Sequence, residues 1–105
     1  MATLFYDHLI PWHMLTQYLD EQSIDREDRL ELIEAIEESV HTEILIVILK
    51  HLPSEKHEHF LERFHTAPYD AGHLDFIQLH GGSAVLEAIY KRGGEVITQV
   101  LVALS

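Results

Sequence analysis

The chain of 105 residues contains no cysteine. This absence excludes a disulfide framework, a thiolate zinc site, an iron–sulfur cluster and a cysteine nucleophile. Basic residues are also scarce, because 7 Lys and Arg stand against 18 Asp and Glu, which gives a formal charge of −11 with neutral histidine. A surface that binds nucleic acid needs clustered Lys and Arg, so this charge argues against direct binding of nucleic acid.

Long apolar runs are missing as well. The longest is the six-residue run Ile44–Leu49, which is far shorter than a membrane-spanning helix. The N-terminal segment MATLFYDHLIPWH has no Lys or Arg before its apolar residues and does not resemble a signal peptide. We therefore predict no membrane span and a cytoplasmic location.

Motifs for catalysis and cofactor binding are absent too. No serine stands in a nucleophile-elbow motif, and neither Gly81-Gly82 nor Gly93-Gly94 has the spacing and the lysine of a phosphate loop. The sequence predicts no catalytic residue, no cofactor and no enzymatic activity.

Apolar residues make up 47% of the chain, which is typical of a globular protein. We expect one helical domain over residues 1–105, since this length matches a single domain. The two most unusual residue classes lie apart along the chain. Residues 20–43 contain ten acids and two bases, whereas six of the nine histidines lie in residues 51–80.

The apolar spacing predicts an all-α fold, a compact bundle of about five helices. Pro11 begins a helix that runs to about residue 19. A long central helix covers about residues 25–52, and Pro53 ends it. Its apolar stripe consists of Leu30, Ile33, Val40, Ile44 and Val47. In its Ile44–Leu49 section the helix is apolar all round, which predicts that protein surrounds it, either in the core or in an oligomer interface.

Three further elements complete the predicted bundle. A helix follows Ser54 and runs to about residue 66, and residues 70–80 fit either a short helix or a strand. The last helix covers about residues 83–104, and Gly93-Gly94 should kink or break it because glycine is a poor helix former.

The run from Glu37 to Phe64 resembles a small, uncharacterised, all-helical family of bacterial domains. That family shows a long amphipathic helix, an LP followed by acidic residues, and an FL on the next helix. The matching residues here are Leu52, Pro53, Glu55, Phe60 and Leu61. The resemblance implies a helical fold and no known activity.

Two Glu-x-x-His motifs, Glu38 with His41 and Glu62 with His65, have the spacing used by di-iron sites in helical bundles. Phe60 and Phe64 define the buried side of the second helix, so its glutamate and histidine should face water instead. His57 and His59 add a second candidate, since they share a face if the chain there is extended. The alternative to a metal site formed by these histidines and glutamates is a polar face exposed to solvent.

His73 and His80 are seven residues apart and flank Phe76 on one helical face. Histidine changes charge near pH 6.5, so both are candidates for a pH-sensitive contact. Glu37 falls within the apolar stripe of the long helix, where a carboxylate needs a partner. We predict a structural ion pair with Arg63, Lys91, Arg92 or a histidine.

Acidic side chains recur every three or four residues along the start of the long helix and form a ridge, called here the acidic ridge: Asp25, Asp28, Glu31, Glu34 and Glu38. Such a ridge is either a solvated face or a surface that docks on a basic protein. The apolar content of the long helix and the last helix predicts a homo-oligomer, expected to be a dimer. We assign its interface to apolar residues of these two helices: Ile44, Ile46, Ile48, Val96, Val100 and Leu101.

Three functions remain open from the sequence. The preferred one is a non-enzymatic protein-interaction or assembly module that associates with itself and with a protein partner, which the charge suggests is basic. The alternatives are a histidine- and glutamate-based metal-binding protein, and an acidic decoy that inhibits a nucleic-acid-binding protein.

Overall fold

The computed structural model describes residues 4–105 and arranges them as five α-helices. The helices are α1 (Trp12–Asp20), α2 (Arg26–His51), α3 (His57–Thr66), α4 (Gly72–Gly81) and α5 (Ala84–Leu104), with short 3-10 turns at Asp7–Leu9 and Ser54–Lys56. The described residues contain no β-strand, which confirms the predicted all-α fold of about five helices. Residues 1–3 lie outside this description. They belong to the predicted domain and to the N-terminal segment that does not resemble a signal peptide.

The bounds of α2 follow from the residues on either side of it. Asp25 precedes the first helical residue, and two acids in the first turn interact favourably with the helix dipole. Leu52 and Pro53 are extended, because a residue before proline is disfavoured in the helical region. The predicted long helix is confirmed to within one residue at each end. Residues 72–81 are helical, which decides between the two structures left open there.

The core lies between α2 and α5, which run antiparallel. Arg92 of α5 contacts Glu43 near the middle of α2, and His51 at the end of α2 lies beside Ala84 at the start of α5. At the other end of the bundle the Tyr18 hydroxyl of α1 donates a hydrogen bond of 3.0 Å to the carbonyl oxygen of Leu104. Neither of these helices, nor any other in residues 4–105, has the length and apolar character needed to cross a membrane.

The buried line of α2 differs from the predicted stripe. It consists of Ile36, Val40, Ile44 and Ile48, spaced four residues apart, while Leu30 is 52% exposed. A four-residue spacing drifts around a 3.6-residue helix, so the buried face turns along the length of α2. Glu37 consequently lies at the edge of that face and is half-buried.

The prediction that protein surrounds the Ile44–Leu49 section does not hold within one chain. Ile44 and Ile48 are fully buried, whereas Ile46 is 41% exposed. Leu45, Val47 and Leu49 are partly buried and pack against the core, so Ile46 is the one exposed residue of this section.

The predicted break at Gly93-Gly94 is also wrong, because α5 continues through both glycines. Gly93 is buried, and a Cβ placed on it would overlap the δ1 methyl group of Ile10. The missing side chain therefore lets the N-terminal segment pack directly against the backbone of α5, and this packing compensates for the low helix propensity of glycine.

Residues 4–10 form a segment, called here the strap, that crosses the bundle before α1 begins. Phe5, Tyr6 and Ile10 of the strap are buried. The backbone N–H of Phe5 donates a hydrogen bond of 3.1 Å to the carbonyl oxygen of Pro68, between α3 and α4. The strap thus ties the α3–α4 connection to α5.

Candidate interaction surface

The structure does not bring the six predicted metal ligands together: Glu38 and His41 lie on α2, and His57, His59, Glu62 and His65 lie on α3. Glu62, His65 and His59 are exposed, as the solvated-face interpretation predicts. Within residues 4–105 no three His, Asp or Glu side chains are placed to hold a metal ion. The proposed clustering of these residues is therefore not found.

Two of these histidines contact the backbone. Nε2 of His57 lies 2.9 Å from the carbonyl oxygen of Leu52, and Nδ1 of His65 lies 2.7 Å from that of Leu61. A carbonyl oxygen can only accept a hydrogen bond, so each of these nitrogens carries a proton and donates it. Each contact fixes the orientation of its ring, and in the neutral imidazole the other nitrogen, Nδ1 of His57 or Nε2 of His65, keeps its lone pair.

His41 has a structural partner in the strap. The Tyr6 hydroxyl lies 2.8 Å from Nδ1 of His41, and Tyr6 is almost completely buried. Burial is the main cause that raises the pKa of Tyr6, with the charge of Asp7 as a second cause. Burial likewise lowers the pKa of His41; Asp7 opposes this effect, and the charge of His65 adds to it. Both shifts favour a neutral hydroxyl that donates to a neutral imidazole.

Glu37 lies near this pair and has no cationic partner within residues 4–105. Its pKa is raised, first by burial and then by the charges of Asp7 and Glu34. Among the described residues Glu37 forms no salt bridge. The predicted ion pair is therefore absent.

Two of the partners proposed for Glu37 are engaged elsewhere. The guanidinium of Arg63 lies 4.7 Å from the centroid of the Phe76 ring, which is a cation–π contact. Arg92 donates from Nε and Nη2 to one oxygen of Glu43, at 3.3 and 3.0 Å. These contacts stabilise the α3–α4 and α2–α5 pairs of helices.

The two histidines proposed as pH-sensitive both contact aromatic rings. His73 is 1% exposed and packs edge-to-face on Phe5 of the strap, with ring centroids 5.1 Å apart. Its Nε2 donates to the carbonyl oxygen of Ala67 at 2.6 Å, and its Nδ1 is buried with no hydrogen-bond partner. His80 is half-buried and lies 4.6 Å from the ring of Phe76. The two side chains therefore occupy different surroundings on α4.

All five members of the acidic ridge are exposed. Four of them lie on α2 and Asp25 immediately precedes it, so the ridge extends for about 20 Å at 1.5 Å per residue. Arg29, one of the two bases in this segment, forms a salt bridge with Asp20 and not with the ridge.

The predicted oligomer interface divides into core and surface residues. Ile44, Ile48 and Val96 are buried inside the single chain and belong to its core. A second copy cannot reach them while the chain stays folded, which corrects their assignment to an interface. Ile46 is exposed, and Val100 and Leu101 are half-buried.

A groove of about 560 Å³ runs between α1 and α5. Pro11 and Met14 form the α1 side, and six residues of α5 form the other: Tyr90, Lys91, Gly94, Glu95, Thr98 and Gln99. Tyr90 is 66% exposed and Met14 is 42% exposed, although both are large and largely apolar.

A second depression, of about 580 Å³, continues along α5 toward its N-terminus. It shares Tyr90 and Lys91 with the first and adds residues of α2 and α5, namely His51, Ala84, Glu87 and Ala88. The two depressions together form one continuous surface, called here the α5 groove.

The α5 groove differs in charge from the rest of the molecule. Helix α5 carries two acids, Glu87 and Glu95, and two bases, Lys91 and Arg92, so its formal charge is zero in a chain of −11. Lys91 makes no salt bridge with any residue of the described range 4–105.

The residues of this groove were not predicted as a site, because apolar periodicity indicates only the buried face of each helix. The outer face of α5 carries a signal nonetheless. Tyr90 stands off the apolar stripe of the last helix, between Ile89 and Lys91, and an aromatic residue outside the stripe indicates a contact beyond the core.

Comparisons with protein-family models, with curated proteins and with solved structures found no match to this chain.

Proposed function

We propose that this protein is a non-enzymatic interaction module that binds another protein through the α5 groove. The observation that carries the proposal is the exposure of Tyr90 and Met14 on facing sides of one groove. Single exposed apolar residues are common on protein surfaces, but an aromatic and a methionine that line the same concave surface are typical of a binding site. Tyrosine is also among the residues that most often dominate binding energy.

The charge distribution supports the same surface. A chain of −11 repels other acidic surfaces, whereas α5 has no net charge to overcome. The titratable groups with displaced pKa values, Tyr6, Glu37 and His41, are explained by burial and by charges near the strap, so they give no argument for catalysis.

Capture from an extract of the source organism tests the proposal. Immobilised wild-type protein is compared with Tyr90→Glu, which puts a charge into the groove, and with Thr42→Glu, which puts the same charge on an exposed position of α2. We expect Tyr90→Glu to lose the bound proteins and Thr42→Glu to keep them. Equal capture by the two variants, both folded by circular dichroism, would contradict the proposal.

The free acidic ridge favours a second candidate, an acidic protein that docks on a basic nucleic-acid-binding partner. Its carboxylates are exposed, and Arg29 does not neutralise them. Such docking weakens steeply with salt, because the contacts are electrostatic. Reversal of Glu31, Glu34 and Glu38 to Lys should abolish capture of a basic partner. Binding that survives this reversal and is insensitive to salt excludes the candidate.

A further inference from the structure

We infer that the occupant of the α5 groove is α5 of a second copy of this chain, antiparallel across a two-fold axis, with Lys91 of each copy opposite Glu95 of the other. This inference rests on the proposed function, because it names the partner that fills the same groove. Helix α5 has 21 residues and is therefore about 31 Å long, enough for a helix pair with contacts along several turns.

The charges that line the α5 groove favour a second copy of the chain as its occupant. A partner that places a negative group near Lys91 and a positive group near Glu95 complements the groove, since both side chains line it and are exposed. Helix α5 itself carries this arrangement in reverse order. Two-fold contacts are reciprocal, so residue 91 meets residue 95 and residue 95 meets residue 91.

The same axis also pairs six other outer residues of α5. With the axis near residue 93, Ala88 lies opposite Thr98, Glu87 opposite Gln99, and Ala84 opposite Val102. No pair brings two like charges together, and Val102, which is 69% exposed in the single chain, gains an apolar neighbour.

The absence of a side chain at Gly94, beside the axis, supports close approach of the second helix. A Cβ on Gly94 would meet no atom within 4 Å, so the packing of the single chain leaves this position open. Arg92 does not compete for Glu95 of the second copy, because its Nη2 is 3.0 Å from Glu43, while its contact with Glu95 of its own chain is long at 3.5 Å.

Two charge-reversal variants test the register. Lys91→Glu places two glutamates opposite each other at each of the two symmetric contacts, and Glu95→Lys places two lysines there. Each variant alone should raise the dissociation constant of the dimer about tenfold or more. An equimolar mixture should form a heterodimer as readily as the wild type, because all four facing charges are then opposite in sign.

The measurement is sedimentation equilibrium of the full chain over micromolar to millimolar concentration, with circular dichroism to verify that each variant is folded. Lys50→Glu, on an exposed position of α2 outside the groove, is the matched control and should dimerise like the wild type. Dimers that persist in both single variants overturn the inference, and so does a mixture that stays monomeric.

The outcomes also separate this inference from the function on which it rests. A wild-type chain that stays monomeric at every concentration removes the second copy as the occupant. The capture experiment with Tyr90→Glu then still decides whether the groove binds a different protein. If capture is independent of the groove, the proposed function fails as well.

Discussion

Two adjacent glycines of α5 should respond in opposite ways to the same substitution. A Cβ on Gly93 would overlap the δ1 methyl group of Ile10, while the next atoms of that side chain and backbone are at 3.7 and 3.8 Å, which is ordinary contact. A Cβ on Gly94 would meet nothing within 4 Å. We therefore expect Gly94→Ala to stabilise the chain and Gly93→Ala to destabilise it or leave it unchanged.

The magnitudes follow from two terms. Alanine in place of glycine inside a helix stabilises by about 1 kcal/mol, and this gain is common to both positions. At position 93 the overlap forces Ile10, which is buried, out of its place, and overpacking of this kind costs about 1–3 kcal/mol. Gly93→Ala should thus be about 1–3 kcal/mol less stable than Gly94→Ala. For a domain of this size each kcal/mol shifts the midpoint of thermal unfolding by about 4–8 °C.

Urea and thermal unfolding followed by circular dichroism measure the difference, at concentrations low enough to keep the chain monomeric. Ile10→Val provides the control because it removes only the δ1 methyl group, at a cost of about 0.5–1.5 kcal/mol by itself. In the double variant with Gly93→Ala the two changes should be less destabilising than their sum. If Gly93→Ala is as stable as Gly94→Ala, or if the double variant is additive, the packing of the strap on α5 is not as described.

Four further substitutions examine the polar groups. Glu37→Gln should stabilise the folded chain at neutral pH. Because the pKa of Glu37 is raised, the folded wild-type chain binds this proton more tightly than the unfolded chain and loses stability as pH rises above about 4.5. A gain in stability that is independent of pH would argue against burial as the cause. Tyr6→Phe should cost about 0.5–1.5 kcal/mol in urea unfolding, since Nδ1 of His41 loses its donor. Because the pKa of His41 is lowered, wild-type stability should also fall as pH drops below 6.5, and His41→Gln should flatten that part of the profile. Glu43→Gln should cost less than about 1 kcal/mol, because its pair with Arg92 is partly exposed; a larger loss would show that the pair determines how α2 and α5 pack.

The helices were predictable because their signals are local. Pro53 and the acids after Asp25 fix the ends of α2 through backbone geometry and the helix dipole, which act within one or two turns. Residues 70–80 were ambiguous because a short apolar run fits either a helix or a strand, and only its packing on neighbouring helices decides.

The errors arose where a distant contact overrides a local preference. Gly93 is a poor helix former by itself, and its place in α5 depends on Ile10, more than eighty residues away in sequence. The strap was not predicted for the same reason, since its only regular structure is one 3-10 turn and its position depends on Phe5 and Tyr6 entering an aromatic core formed by later helices. Periodicity shows which face of a helix is apolar but not how much of it other helices cover, as the exposure of Ile46 demonstrates.

The chain is strongly acidic whereas α5 has no net charge, and this difference leads to a prediction about how salt and pH affect self-association. Two copies that meet along α5 bring together two bodies of −11, and this repulsion acts over a longer range than the paired contacts of Lys91 and Glu95. Salt at 0.1 M screens charges beyond about 10 Å, so moderate salt should strengthen self-association although the contacts include ion pairs. Acid should act in the same direction, because histidine gains a positive charge near pH 6.5 and protonation of all nine would bring the formal charge from −11 to −2. Sedimentation equilibrium at low salt should therefore show a lower dissociation constant at pH 5.5 than at pH 7.5, with the difference reduced in 0.1 M salt. A dissociation constant that is insensitive to both variables would mean that the two copies do not approach as charged bodies, and that the neutrality of α5 is unrelated to assembly.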